Sequence, residues 1–141
     1  MNTVDRLASA LRAQLAEAPE PIAVAYLFGS VARGDDTPSS DIDLGVLLAQ
    51  PPEPTLDGRL LRLEASLERQ LGRPVQAVVL NDSPPDLVHR VLRDGIIVCE
   101  KDRSARIAFE VRSRNEYFDL LPVIQRYRET VLRRLHRVPA S

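Results

Sequence analysis

The stretch LFGSVARGDDTPSSDIDLGVLL, residues 27–48, joins two apolar runs through a polar connection. Residues 22–28 read as a short apolar strand that Gly29 stops. Residues 41–48 read as a second strand, whose outer half from Leu44 to Leu48 is apolar without alternation, as expected when both faces are covered. Gly29 has no Cβ, so a phosphate could approach its backbone closely. Ser30 adds a hydroxyl, and the amides that follow point outward where the strand hands over to a helix or tight turn. Alone, a strand followed by Gly-Ser is a plain turn.

Asp41 and Asp43 change that reading. One residue apart on a strand, they send both side chains out of the same face, with α-carbons about 6.6 Å apart. Ile42 points the other way, into the core. Two adjacent carboxylates repel unless a cation lies between them. Mg²⁺ suits such a pair, because it takes hard oxygen ligands and shares itself between one or two carboxylates and substrate phosphates. For the pair by itself, a solvent-facing edge with two satisfied acids is the alternative. Together the elements spell G-S-x10-D-x-D. Four specified residues at fixed offsets arise by accident in roughly one chain of this length in several hundred.

Outward from this segment, residues 3–16 read as an amphipathic helix with Val4, Leu7, Leu11 and Leu15 on one stripe, ended by Pro19 and Pro21. A proline-rich loop over 50–54 leads into a helix over 55–71 with Leu60, Leu63, Leu67 and Leu71 as its buried stripe, and Gly72 and Pro74 close it. Residues 75–80 form a third strand. Ser83 then reads as an N-cap, with Pro84 at the first helical position and Asp86 at the third. That helix ends at Gly95, and 96–99 is a fourth short strand. The remainder, 102–137, is helical, with Ile107, Val111, Leu120, Ile124, Tyr127, Val131 and Leu135 near helical spacing; Pro122 should kink or divide it. The order α-β-β-α-β-α-β-α predicts an α/β (α+β) fold: a mixed sheet of about four strands with helices packed on it and a long C-terminal helical segment. We expect one domain over 1–141, with a core at 20–100 and a helical extension at 101–137.

The bulk numbers fit that expectation. The 141 residues suffice for one domain with a genuine core, and 44% apolar with 28% charged residues is an ordinary globular balance. No apolar run is long enough to span a bilayer, and Asp5, Arg6, Arg12 and Glu17 interrupt any signal-peptide pattern. The single cysteine, Cys99, forms no internal disulfide and has no metal-ligand spacing around it, which points to a reduced, cytoplasmic setting. A net charge of −1 supplies no global field for nucleic acid, so no direct nucleic-acid binding is expected. The charge is uneven, however: from residue 103 onward nine arginines face only Glu110, Glu116, Asp119 and Glu129. This excess reads either as a solvated helix face or as a surface that holds phosphate or docks an acidic partner.

The segment 27–48 resembles the signature of the DNA polymerase β-like nucleotidyltransferases, and within them the minimal nucleotidyltransferase (MNT) branch. The resemblance covers residues 22–100. The tail, with Glu110, Arg112, Glu116-Tyr117-Phe118-Asp119 and Tyr127, is similar to that of MNT antitoxins paired with HEPN ribonuclease toxins. The resemblance implies a nucleotidyltransferase fold and transfer of a nucleoside monophosphate, usually from ATP, to a hydroxyl. In the antitoxin group that hydroxyl is a tyrosine of the toxin, which adenylylation silences. It further implies that Gly29 and Ser30 bind the β/γ end of the triphosphate; Arg33, by its charge and place after them, reads as a further phosphate contact. Asp41 and Asp43 then hold Mg²⁺ at the transferring phosphorus. Such transfer needs positioning and charge stabilisation more than covalent help.

One position departs from the pattern. The family supplies a third carboxylate from the next strand. The helix over 55–71 is a crossover, so strands 41–48 and 75–80 are parallel and begin side by side. The expected position is Gln76, the only polar residue between Val75 and Leu80. Asp82 has the same parity but lies about 20 Å further along an extended strand and belongs to the following turn. Glutamine can neither accept a proton nor offset a second metal. Two readings therefore stand: a Mg²⁺-dependent adenylyltransferase acting on a partner toxin, or a catalytically weakened module that neutralises its partner by complex formation, as a homo- or hetero-oligomer. Transfer to a small molecule ranks below both, because no second domain encloses such an acceptor. Arg33, Asp35 and Asp36 read otherwise as loop residues, the two acids serving the turn over 36–40. His89 and His136 read as surface residues, and Tyr117 and Tyr127 as partner-facing or core side chains.

Overall fold

A computed structural model describes residues 2–37, 39–50 and 56–136, with side chains in the last stretch from residue 60 onward. The loop over 50–54 lies outside the described residues beyond Gln50, as do the last residue expected in the C-terminal helix and Pro38 of the 36–40 turn. The elements run α1 (Thr3–Ala16), β1 (Ile22–Phe28), α2 (Gly29–Arg33), β2 (Ile42–Leu48), α3 (Leu56–Leu71), β3 (Val75–Val79), a 3₁₀ turn (Leu80–Asp82), α4 (Pro85–Asp94), β4 (Ile96–Glu100) and α5 (Arg103–His136). The strands form one mixed sheet in the order β3-β2-β1-β4. The pairs β1–β2 and β1–β4 are antiparallel, and the α3 crossover makes β2–β3 parallel.

Strand alternation divides the core into two layers. Ile42, Leu44, Val46 and Leu48 of β2 join Ala25 and Leu27 of β1 against Leu11 and Leu15 of α1 and Leu60, Leu63 and Leu67 of α3. Val24, Tyr26 and Leu47 lie on the other face, against Leu80, Val88 and Val91 and against Phe109 of α5. With both faces covered, the central strands have no polar side to show, which explains their unbroken apolar runs. Side chains meet backbone groups on both outer strands. Glu68 and Glu64 of α3 accept the outer N–H groups of Val75 (3.0 Å) and Ala77 (3.1 Å), and Arg12 donates to the Ile97 carbonyl (3.3 Å).

Several expectations are corrected. β2 begins at Ile42, so Asp41 sits just before the strand. Ser83 is not an N-cap: its hydroxyl donates to the Val79 carbonyl at 2.6 Å, closing the 3₁₀ turn, and α4 starts one residue later with Pro84 in the cap position. Pro122 does not divide the C-terminal helix, which runs unbroken for 34 residues, about 51 Å. The sequence left open what the apolar stripe of α5 faces, and most of it faces away from the domain. Phe109 and Ser113 are the buried residues of α5, whereas Val123 (57% exposed), Tyr127 (71%) and Leu135 (65%) lie open. The helix is fastened near its start, where the Tyr26 hydroxyl donates to Glu110 (2.8 Å) and Arg106 bridges Glu100 (3.1 Å) and Glu110 (3.0 Å). His89 is half-buried rather than a surface residue, stacked on Tyr117 with ring centroids 3.7 Å apart. Among the described residues no helix is long and apolar enough to cross a membrane.

Candidate active site

β1 ends at Phe28 and turns at once into α2, with Gly29 at φ 79°. This is the left-handed region, which a glycine enters without penalty. Gly29 is required for a second reason. β1 and β2 pair with Phe28 opposite Asp43, and the Asp43 side chain lies directly over the Gly29 α-carbon, where any Cβ would meet its carboxylate. The antiparallel ladder thus presses together residues 14 positions apart in sequence. The Ser30 carbonyl accepts the Asp35 N–H (2.9 Å), closing the connection behind α2. The Ser30 hydroxyl makes no hydrogen bond among the described residues and is open to a ligand.

A pocket of about 360 Å³ opens here, lined by Gly29, Ser30, Arg33 and Asp43 on one wall. Phe28 forms part of its floor, and α4 supplies Leu87, Arg90, Arg93 and Asp94. Of the residues singled out in the sequence, the fold brings Gly29, Ser30, Arg33 and Asp43 together. Asp41 and Gln76 do not line the pocket: Asp41 is exposed just before β2, and Gln76 is exposed on β3. Gln76 is the register partner of Asp43 in the parallel β2–β3 pair, the position derived for it from the crossover.

Burial pushes the Asp43 carboxyl above the ordinary carboxylate range, and the neighbouring Asp41 charge adds to the rise, while Arg33 opposes it. Arg33 is itself engaged by Asp35 at 3.4 Å. On α4, Arg93 grips Asp94 through two hydrogen bonds of 3.0 and 2.9 Å, which hold the Asp94 carboxyl below its usual range. Asp36 is not a simple turn residue. It pairs with Arg73 at 3.0 Å, and Arg73 also donates to the carbonyls of Thr37 (3.1 Å) and Ser40 (2.8 Å), stapling the loop that leads into Asp41. A larger depression of about 570 Å³ beside Arg73 and Asn2 contains no motif residue.

The α4 wall was missed in the sequence. A signal exists: Leu87, Arg90 and Asp94 are spaced i, i+3, i+7 and so share a helix stripe. Nothing local distinguishes that stripe from a solvated face.

The half-buried Asp43 carboxylate with the neighbouring Asp41 charge suits a divalent cation. Among the described residues no cluster of three or more histidine, cysteine or acidic side chains forms, so a cation here would have at most Asp43 and the neighbouring Asp41 as protein carboxylates. That number suffices for Mg²⁺, whose remaining ligands are water and substrate phosphate.

Residues 12–104 match the family model described as "Polymerase beta, Nucleotidyltransferase". A candidate protein adenylyltransferase of Methanocaldococcus jannaschii is 36% identical over 74 residues, which cover 52% of this chain and 76% of that protein. A chain in the crystal structure of a toxin–antitoxin with AMP-PNP superposes with a TM-score of 0.74 at 23% identity, over 89% of this chain and 98% of that one. A chain in the complex of a tri-AMPylated Shewanella oneidensis HEPN toxin with its MNT antitoxin gives a TM-score of 0.70 at 21% identity, over 92% and 99%. These two likenesses are of fold. The family match spans the Gly29–Ser30 turn, Asp41 and the β2 strand as one unit, and the chain belongs to the polymerase β nucleotidyltransferase family.

Proposed function

We propose that this chain is a Mg²⁺-dependent adenylyltransferase that moves AMP from ATP to a hydroxyl of a partner protein, and that the partner is a HEPN-type toxin for which it serves as antitoxin. The observation that carries the reading is the packing of the Asp43 carboxylate against Gly29 beside the open Ser30 hydroxyl, in a pocket walled by arginines. The archaeal relative named for protein adenylylation and the fold shared with MNT–HEPN complexes support the choice of acceptor.

In this reading Gly29 and Ser30 seat the β/γ phosphates, and Arg33 balances part of their charge. Asp41 and Asp43 hold Mg²⁺, which when bound offsets charge at the α-phosphate. The acceptor oxygen forms a bond to the α-phosphorus, the bond to the bridging oxygen breaks, and pyrophosphate departs. Gln76 stands beside Asp43 but, as a neutral amide, cannot take the acceptor's proton, which goes to water. To test this, the protein is incubated with ATP labelled at the α-phosphate, Mg²⁺ and a HEPN-type toxin. We expect label on the toxin, and a loss of at least roughly 100-fold in Asp43→Asn, the scale of removing one preorganised electrostatic contact. An unlabelled toxin overturns the reading.

A second reading is favoured by Gln76 together with the open apolar stripe of α5: neutralisation by complex formation with weakened transfer. Gln76→Asp separates the two. A marked gain in label transfer supports the weakened module, and a wild type already as fast as the variant removes it.

A further inference from the structure

The turn spacing of α4 sorts its side chains into three sets. Val88 and Val91 are buried beneath it, His89 lies flat on Tyr117 of α5 at 3.7 Å, and Leu87, Arg90 and Asp94 line the pocket together with Arg93. The helix is therefore held on two sides, and its pocket-facing backbone has a defined place. Two of the pocket's three guanidinium groups are already engaged, Arg93 by Asp94 at 2.9 Å and Arg33 by Asp35 at 3.4 Å. Arg90 is exposed and makes no ion pair or side-chain hydrogen bond among the described residues. A planar cation with all its donors unassigned, in a small pocket shared with an open serine hydroxyl, suits an anion rich in oxygen atoms.

We propose that Arg90 is a substrate-anchoring residue that binds the polyphosphate of the nucleoside triphosphate, from the α4 wall of the pocket that Gly29 and Ser30 line. The inference rests on reading the pocket as the triphosphate site, and it adds a helix that the G-S-x10-D-x-D motif does not contain. Arg90 meets the phosphates through charge-assisted, fork-shaped hydrogen bonds, a geometry that lysine matches in charge alone.

The test is calorimetric titration of the full chain with AMP-PNP and Mg²⁺, for wild type, Arg90→Ala, Arg90→Lys, Ser30→Ala and Arg128→Ala on the exposed part of α5. Arg90→Ala is expected to weaken AMP-PNP by roughly 10- to 100-fold, the loss of one charged hydrogen-bonding partner. Arg90→Lys recovers part of the affinity, Arg128→Ala matches wild type, and thermal unfolding of all four variants is unchanged. If Arg90→Ala binds as wild type while Ser30→Ala is weakened, the role of Arg90 is overturned and the pocket reading stands. Equal weakening in Arg128→Ala overturns it as a general charge effect. A wild type that does not bind AMP-PNP overturns both.

Discussion

Gly29, Ser30 and Asp43 reach the pocket from the ends of two hydrogen-bonded strands, whereas Arg90 and Arg93 reach it from one face of a helix. The first wall is close-packed, with the Asp43 carboxylate touching the Gly29 backbone and Arg33 beside them. The second wall is cationic, and its distance from the first is set indirectly. α4 rests on β2 where Gly45 leaves room: a Cβ there would come within 3.2 Å of Leu80 and Val91 side chains. One wall is thus fixed by ladder register and the other by a spacer. Substitutions in the first should act on the chemistry, and substitutions in the spacer should act through distance.

The largest effect is expected from Gly29→Ala. It forces a Cβ into the Asp43 carboxylate at φ 79°, so it should remove Mg²⁺-nucleotide binding and lower stability by about 1–3 kcal/mol. Titration with AMP-PNP and urea unfolding check both, and a variant that binds normally would show that the strand wall is not close-packed. Next comes Gly45→Ala, an overpacking change of about 1–2 kcal/mol that pushes α4 outward and weakens nucleotide binding with the strand wall intact. Adding Val91→Ala should return part of the lost nucleotide affinity by reopening the space. No recovery would sink the spacer role of Gly45.

The smallest effect sharpens the electrostatics of the first wall. The folded-state pKa of Asp43 lies above its unfolded value, so near that range the folded protein binds more protons than the unfolded chain. Stability then falls as pH rises through the shifted pKa, and the penalty is fully present at neutral pH. Asp43→Asn should therefore raise the melting temperature at pH 7, with the gain fading below the ordinary carboxylate range. A gain that is equal at pH 3 and pH 7 would show that burial of the charge is not its cause.

The legible parts of this molecule share a physical origin. The α1, β1 and α3 boundaries follow from apolar periodicity and from proline and glycine breaks, which act over a few residues. The placement of Gln76 opposite Asp43 followed from chain topology, because a helical crossover permits only a parallel partner strand. Ser83 was misread because its hydroxyl had two backbone groups within reach, and the 3₁₀ turn decided in favour of the Val79 carbonyl. The α5 stripe shows the same limit at larger scale. Its spacing marks an apolar face but not whether the domain covers it, and Phe109 with the Tyr26–Glu110 hydrogen bond turned another face inward.

The sequence by itself determined the strand–turn–strand unit carrying Gly29, Ser30, Asp41 and Asp43, since these residues lie within one contiguous segment and local geometry relates them. Only the tertiary structure decided that α4 stands beside that unit, that Arg90 has no ion-pair partner among the described residues while Arg93 is taken by Asp94, and that much of α5 is exposed. Those outcomes depend on which faces meet across the sheet, and helical spacing alone is the same for a wall, a core and a solvated surface.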